Sequence, residues 1–436
     1  MRTIKIGVFG LGVVGSSVVT ILKNNRELIR DRLGAEIVVT HAVTAHPNKK
    51  RAVSTEGIKV SSNPADILNN PEIDIVVELI GGTTLAGDIV LKALDADKPV
   101  VTANKALLAE RAREIFTRVY EKKLAIGMEA SVAGGIPVLR SLKEGLSGDH
   151  ILEVSGIVNG TCNYILTRMT QEGAPFDHVL ADAQRLGYAE ADPTFDVDGV
   201  DAAHKLAVLV NLAYGTMVHF PDIYREGIRG ITPMDIAYAR QLGFAIKLLA
   251  IGKRVGEQVE ARVHPTLVSH GHLLASVNGV FNAVFLTGDN VDASMSYGRG
   301  AGGLPTGSAV VSDIIDIARN LLVGIRVKIP PLSVTQDKLR DRAVLPIQEI
   351  ESEYYLRFQV LDRVGVLAAL TRVMGDNNIS IKSMLQPAEA EHEDQPVQVI
   401  LTTHRALESD VQKSLKEIGA MDFIAGPAQL IRIERL

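Results

Sequence analysis

Between positions 187 and 205 the chain places Glu190, Asp192, Asp196, Asp198 and Asp201 ahead of a lysine, Lys205. No other stretch of the sequence gathers so many acids beside an amine. Carboxylates next to an ammonium can bind a charged polar substrate and move a proton to or from its oxygen. Gly187, Pro193 and Gly199 interrupt any helix through the acids, so most of them belong to a loop. From Val200 onward Ala202, Ala203, Leu206, Ala207, Leu209 and Val210 have helical spacing, which puts Asp201 and Lys205, four apart, on one face. The same pattern also suits a solvated helix start with an ordinary surface ion pair.

Two other groups can do chemistry. Lys105 lies in Ala103-Asn104-Lys105-Ala106, directly after a strand-like Pro99-Val100-Val101-Thr102. A cation there opposes the dipole of the helix that follows, which favours a functional reason for it. Glu129 opens the loop Glu129-Ala130-Ser131-Val132-Ala133-Gly134-Gly135-Ile136-Pro137, whose carboxylate and carbonyls could enclose a hard cation or simply form a loop. The His/Cys spacing of a zinc site is absent from the sequence.

The elements that hold these groups begin with a strand at residues 4–9 that ends in Gly10-Leu11-Gly12-Val13-Val14-Gly15 and runs into a helix. In that setting Gly10 permits a tight turn, Gly12 the approach of a pyrophosphate and Gly15 close packing of helix on strand. The amides at the helix start, at Val13 and Val14, hold phosphates. At the end of the next strand, 36–43, an acid would favour NAD; Thr44 and Ala45 stand there instead, followed by His46, Lys49, Lys50 and Arg51. That basic cluster either takes a 2′-phosphate or is a solvated loop, so the cofactor reads as NAD(P). Strands at 74–79 and 99–102 around a helix at 84–97 predict a doubly wound parallel sheet, with ligands beyond the strand ends and Lys105 in reach of them.

From about residue 151 longer strands and helices predict an α+β domain whose sheet covers the cleft, followed by a Gly-rich stretch, 297–307, and an amphipathic helix at about 308–323. Pro330-Pro331 and the charged run 336–342 read as a linker. Beyond it the order β-α-β-β-α-β is ferredoxin-like.

Composition bounds the rest. The 436 residues, 46% hydrophobic and 22% charged, suit two to four globular domains, from a prior of about 100 to 200 residues each. A net charge of −5 argues against a nucleic-acid partner. The lone Cys162 excludes an intrachain disulfide. No cleavable signal is expected, because Met1-Arg2-Thr3 runs straight into the first strand, and no apolar run reaches the roughly 20 residues of a bilayer span. The expected place is the cytoplasm.

Taken together, GLGVVG, TANKALLA around Lys105, EASVAGGIP, NGTCNYIL and GYAEADPTFDVDGVDAAHK resemble homoserine dehydrogenase from residue 1 to about 345. The tail from Tyr354 resembles an ACT domain, with Asp362-Arg363-Val364-Gly365-Val366-Leu367 matching its DRPGVL turn except that Val364 replaces proline. The resemblance implies a Rossmann domain at 1–130, a homoserine-binding and dimerisation domain at 131–325 whose 308–323 helix is able to pack back on the first, a linker at 326–350 and an ACT domain at 351–436. It implies interconversion of L-homoserine and L-aspartate 4-semialdehyde with NADP or NAD, on the way to threonine and methionine. Lys205 is then the acid/base, Lys105 assists it, and Asp201 and Glu190 bind homoserine. Cofactor contacts fall to Gly10, Gly12, Val13, Val14, Gly15, Thr102, Lys105, Gly187 and Gly302. Glu129 with the carbonyls of Val132, Gly134 and Ile136 matches the family's sodium site. The tail implies feedback regulation by an amino acid, threonine, and a homo-oligomer, dimer or tetramer. Two other readings remain: an aldehyde dehydrogenase working through a Cys162 thiohemiacetal, and an amino-acid sensor without turnover.

Overall fold

The computed structural model describes residues 1–386 and 396–435, so 387–395 and 436 of the expected ACT span lie outside the described residues. Among the described residues the first sheet has six parallel strands, Thr3–Phe9 (β1), Glu36–Val43 (β2), Lys59–Ser61 (β3), Ile75–Glu78 (β4), Val100–Thr102 (β5) and Ile126–Gly127 (β6), in the order β3-β2-β1-β4-β5-β6. This is the doubly wound arrangement that alternating strands and helices predict, with the chain reversal between β1 and β4 opening a crevice beyond their carboxyl ends. β-branched residues fill β1 and β4 because both faces of the sheet are covered.

The helix Gly303–Leu322 leaves the catalytic region and lies on the nucleotide helix Val13–Asn24. Its Val310, Ile314 and Ile317 share one apolar core with Ile4, Ile6 and Val8, so a segment far along the chain completes the first layer.

The second sheet is built from Ile151–Ile157 (β7), Tyr224–Arg225 (β8), Phe244–Val255 (β9), Gln258–Ser269 (β10), Phe281–Gly288 (β11) and Asp292–Arg299 (β12). The C-terminal strands are Glu351–Leu361 (β13), Ile381–Leu385 (β14), Pro396–Thr403 (β15), Ala406–Leu407 (β16) and Gln429–Glu434 (β17), with helices Val366–Asp376 and Glu408–Gly419 between them. Their order β17-β13-β15-β14 is that of a ferredoxin-like unit, as the sequence predicts. The two sheets are not separate. β17 pairs in parallel with β10 at Thr266 and Arg432, Leu267 and Ile433, and Val268 and Glu434, giving one continuous sheet.

The stretch read as a linker is docked along its length: Tyr120 donates its hydroxyl to the Val334 carbonyl at 2.7 Å, and Arg340 and Val344 form bridges with Thr216 and Val259. A run of prolines and charges carries no signal of such docking, because its partners lie elsewhere in the chain. Among the described residues no helix is long and apolar enough to cross a membrane.

Candidate active site

The helix Val200–Tyr214 starts at Gly199, whose φ of 81° ends the preceding turn Thr194–Val197. It is buried almost throughout, since it packs on β9 and β10 on one side and on the Lys105–Glu110 helix on the other. Asp201 therefore sits in the first turn, 4% exposed, beside Lys205 at 9%. The surface ion pair that spacing alone allows is excluded by this burial.

Lys205 Nζ donates to Asp201 Oδ2 and to the Val158 carbonyl, each at 2.6 Å. Lys105 Nζ lies 3.0 Å from Asp201 Oδ1. One carboxylate thus bridges two ammonium groups brought from different domains. Asn159 Nδ2 donates to Asp201 at 2.8 Å and to Asp196 at 2.7 Å. Its carbonyl oxygen accepts from the Cys162 amide at 2.8 Å, which caps the helix Gly160–Glu172 and fixes the way the amide faces. Burial pulls the Asp201 carboxyl up, but Lys205 and Lys105 outweigh it and hold it well below the usual carboxylate range. Asp196 is pushed up by burial, against the Asn159 bond.

These groups line a cavity of about 620 Å³ together with Val14, Gly187, Gly302 and Asn282. A second cavity of about 620 Å³ is lined by Gly12, Val13, Thr44, His46, Lys49 and Lys50. Gly10, at φ 95°, turns the chain against the Leu79 carbonyl, and a Cβ on Gly15 would stand 2.0 Å from the Gly10 carbonyl oxygen. Gly12 faces open space. The phosphate-binding turn lies along both cavities, with Val14 lining the first and Gly12 and Val13 the second.

Of the expected residues, Gly10 and Gly15 shape the turn without lining this space, and Thr102 and Glu190 do not face it. Thr102 is fully buried, its hydroxyl donating to Glu78 at 2.6 Å and accepting from the Asn104 amide at 3.0 Å, so it braces the strand end. Glu190 is exposed and does not line the cavity; the exposed stretch that carries it is tied back by Gln184, which donates to the Glu190 and Ala191 carbonyls.

Glu129 is buried and accepts the Leu139 amide at 2.9 Å and the Arg140 amide at 2.7 Å. Among the described residues no backbone amide donates to the carbonyls of Val132 or Gly134, whereas that of Ile136 takes the Val138 amide at 2.8 Å. This all-oxygen set with open lone pairs fits a hard cation. Cys162 is wholly buried, and burial pushes its thiol well up, which removes the thiolate that a thiohemiacetal mechanism requires.

Sequence reasoning missed Asn159 and the contact role of Asp196. The only available signal was an Asn at a strand-to-helix turn, which equally marks a plain cap.

Residues 137–315 match the family model for homoserine dehydrogenase, 10–127 that for the homoserine dehydrogenase NAD binding domain, and 354–420 that for the ACT domain. The chain is 45% identical to a homoserine dehydrogenase of Pseudomonas aeruginosa over 436 residues, covering 100% of both. It superposes on the crystal structure of a homoserine dehydrogenase from Thiobacillus denitrificans with a TM-score of 0.94 and 44% identity, covering 100% of this chain and 99% of that one. It also matches a hyperthermophilic archaeal homoserine dehydrogenase in complex with NADPH, at a TM-score of 0.62 and 25% identity, over 72% of this chain and 97% of that one. The chain belongs to the homoserine dehydrogenase family, oxidoreductases with an NAD-binding domain, and it carries a C-terminal ACT domain.

Proposed function

We propose that the cavity between the two lysines is where L-homoserine and L-aspartate 4-semialdehyde interconvert, with Lys205 as the acid/base. The observation that carries this is the pair of ammonium groups on one buried carboxylate, Lys205 at 2.6 Å and Lys105 at 3.0 Å from Asp201. An ammonium has three donors, and Lys205 uses two of them on Asp201 and Val158, leaving one for a substrate oxygen. A bound nicotinamide supplies or accepts the hydride. In the reducing direction Lys205 stabilises the developing alkoxide and gives it a proton. In the oxidising direction the neutral amine takes the proton from the homoserine hydroxyl. Lys105 adds positive charge at the same oxygen, Asp201 orients both amines, and Asp196 meets the substrate's ammonium.

NADP is the cofactor this reading favours over NAD. The adenosine end is walled by His46, Lys49 and Lys50, while Arg51 is occupied by the His46, Pro47 and Lys49 carbonyls and shapes the loop. Gly10, Gly12, Val13, Val14 and Gly15 hold the phosphates, and Gly187 and Gly302 close on the nicotinamide end. Glu129 with the Val132, Gly134 and Ile136 carbonyls would hold sodium. The ACT domain takes an amino-acid effector, threonine being the one proposed, in a cytoplasmic homo-oligomer. The domain bounds proposed are 1–130, 131–325, 326–350 and 351–436.

The test is steady-state homoserine oxidation with NAD and with NADP, with and without threonine, on wild type and Lys205→Ala. Turnover, lost by about a hundredfold or more in the variant with cofactor binding kept, is the expected result. A Lys205→Ala enzyme of near wild-type rate sinks the acid/base assignment.

A further inference from the structure

His204 stands between Asp201 and Lys205 on the catalytic helix, yet it does not reach the cavity. Its ring is 2% exposed and lies between two phenylalanines: Phe220 at 4.2 Å between centroids and 10° between planes, Phe195 at 5.5 Å and 29°. Lys105 Nζ lies over the Phe195 ring, 5.6 Å from its centroid, and Arg225 lies over Phe220 at 5.0 Å. The result is a stack of cation, ring, imidazole, ring and cation, with one of the active-site lysines at its end.

At its edge the imidazole meets Glu110, with Nε2 2.9 Å from the carboxylate. A carboxylate only accepts, so Nε2 is the donor, and Nδ1 is left as a buried nitrogen without a partner among the described residues. Packing alone does not account for this, because an apolar ring would fill the same slot without burying an unpaired polar atom. Glu110 is the last residue of the short helix whose first residue is Lys105. The two helices are therefore joined at both ends of the shorter one, by Lys105 on Asp201 and by Glu110 on His204. These contacts cross from the nucleotide-binding region to the catalytic helix.

We infer that His204 is a positioning residue for the dehydrogenase reaction: through Glu110 and Phe195 it sets Lys105 against Asp201 and so fixes the distance between the two lysines across the cleft. The inference rests on the assignment of Lys105 and Lys205 to the reaction. Phe195 neighbours Asp196 in the turn Thr194–Val197, so the same stack also seats the acidic turn at the cavity wall. Without His204 the Lys105 helix loses the polar contact at its far end and its amine is held less firmly, at the rate loss a misplaced catalytic group brings.

The test is a double-mutant cycle read in kcat, with KM for each substrate and thermal stability measured alongside. His204→Leu is expected to lower kcat about tenfold to a hundredfold, with KM for the cofactor within about twofold. His204→Gln, which restores a donor for Glu110, is expected to recover most of that loss. In a Lys105→Met background His204→Leu is expected to cost nothing further. Equal losses in both backgrounds, or a His204→Leu enzyme with lowered stability and unchanged kcat, overturn the inference. If His204→Leu fails to fold, Glu110→Gln carries the same cycle. A Lys105→Met enzyme of wild-type rate instead breaks the underlying assignment and is distinguishable from these outcomes.

Discussion

The two junctions of this molecule are built on opposite principles. Where the nucleotide-binding region meets the catalytic helix, a few polar contacts bridge a cavity of about 620 Å³, and Lys205 keeps a donor uncommitted. Where the catalytic region meets the ACT domain, main-chain hydrogen bonds from β10 to β17 make the sheet continuous, and the charges are used up. Arg432, 1% exposed, gives Nε and Nη2 to Glu408, Nη1 to Glu226 and Nη2 also to Tyr224. Arg262 is paired with Glu434 at 2.6 Å and Arg357 with Asp235 at 2.6 Å. A buried guanidinium held by two carboxylates fixes structure; an ammonium at a cavity wall with a donor left over is free to act on a ligand.

That contrast is broken most severely at Arg432. Arg432→Met strands Glu408 without its partner in the interior and should cost about 3–5 kcal/mol of unfolding free energy, measured by denaturant titration, with kcat per folded molecule close to wild type. A loss under about 1 kcal/mol would show that the junction does not depend on the pair. At the other junction Lys205→Ala should do the reverse, raising the barrier by about 3 kcal/mol while moving the denaturation midpoint less than Arg432→Met does.

Acid distinguishes the junctions next. Burial pushes Glu434 up, but Arg262 and Lys253 outweigh it and bring its pKa down to about 2. A carboxylate depressed in the folded state contributes its full stability above the unfolded value of about 4.3 and loses it as pH falls toward the folded one. Wild type and Glu434→Gln should therefore converge in stability between about pH 4.3 and 2; parallel curves would refute a charged Glu434 at this junction. A smaller effect is expected at Gly15. A methyl there meets the Gly10 carbonyl oxygen at 2.0 Å, so Gly15→Ala should weaken NADP binding by about tenfold to a hundredfold, from a clash of about 1–3 kcal/mol, as read by fluorescence titration. The smallest is at Lys49 and Lys50, where each substitution by Ala should raise KM for NADP several-fold and leave that for NAD unchanged; equal changes for both cofactors would dismiss the 2′-phosphate reading.

Much of the architecture was legible because it rests on local periodicity and turn chemistry. The glycines at 10, 12 and 15 sit where a strand must turn into a helix, and alternating strands admit few topologies for the sheet. Asp201 and Lys205 meet because four residues make about one helical turn, which no tertiary contact has to arrange. The direction of the Thr102 side chain was not legible, because strand spacing does not tell a hydroxyl facing the crevice from one turned to Glu78. Glu190 fell outside the cavity because the path of an exposed loop is decided by what it packs on.

The sequence by itself thus determined the identities and spacings that lie within a turn or a strand: the phosphate-binding turn, the Asp201 and Lys205 pair, the ferredoxin-like order of the tail. Only the tertiary structure decided the contacts between segments a hundred residues or more apart, or nearly so. It brought Lys105 to Asp201 and Glu110 to His204, laid Gly303–Leu322 on Val13–Asn24, and joined β17 to β10. The physical reason is the same in each case. Local hydrogen bonding and side-chain periodicity depend on neighbours in the chain, whereas burial and charge pairing depend on which distant surfaces exclude water together.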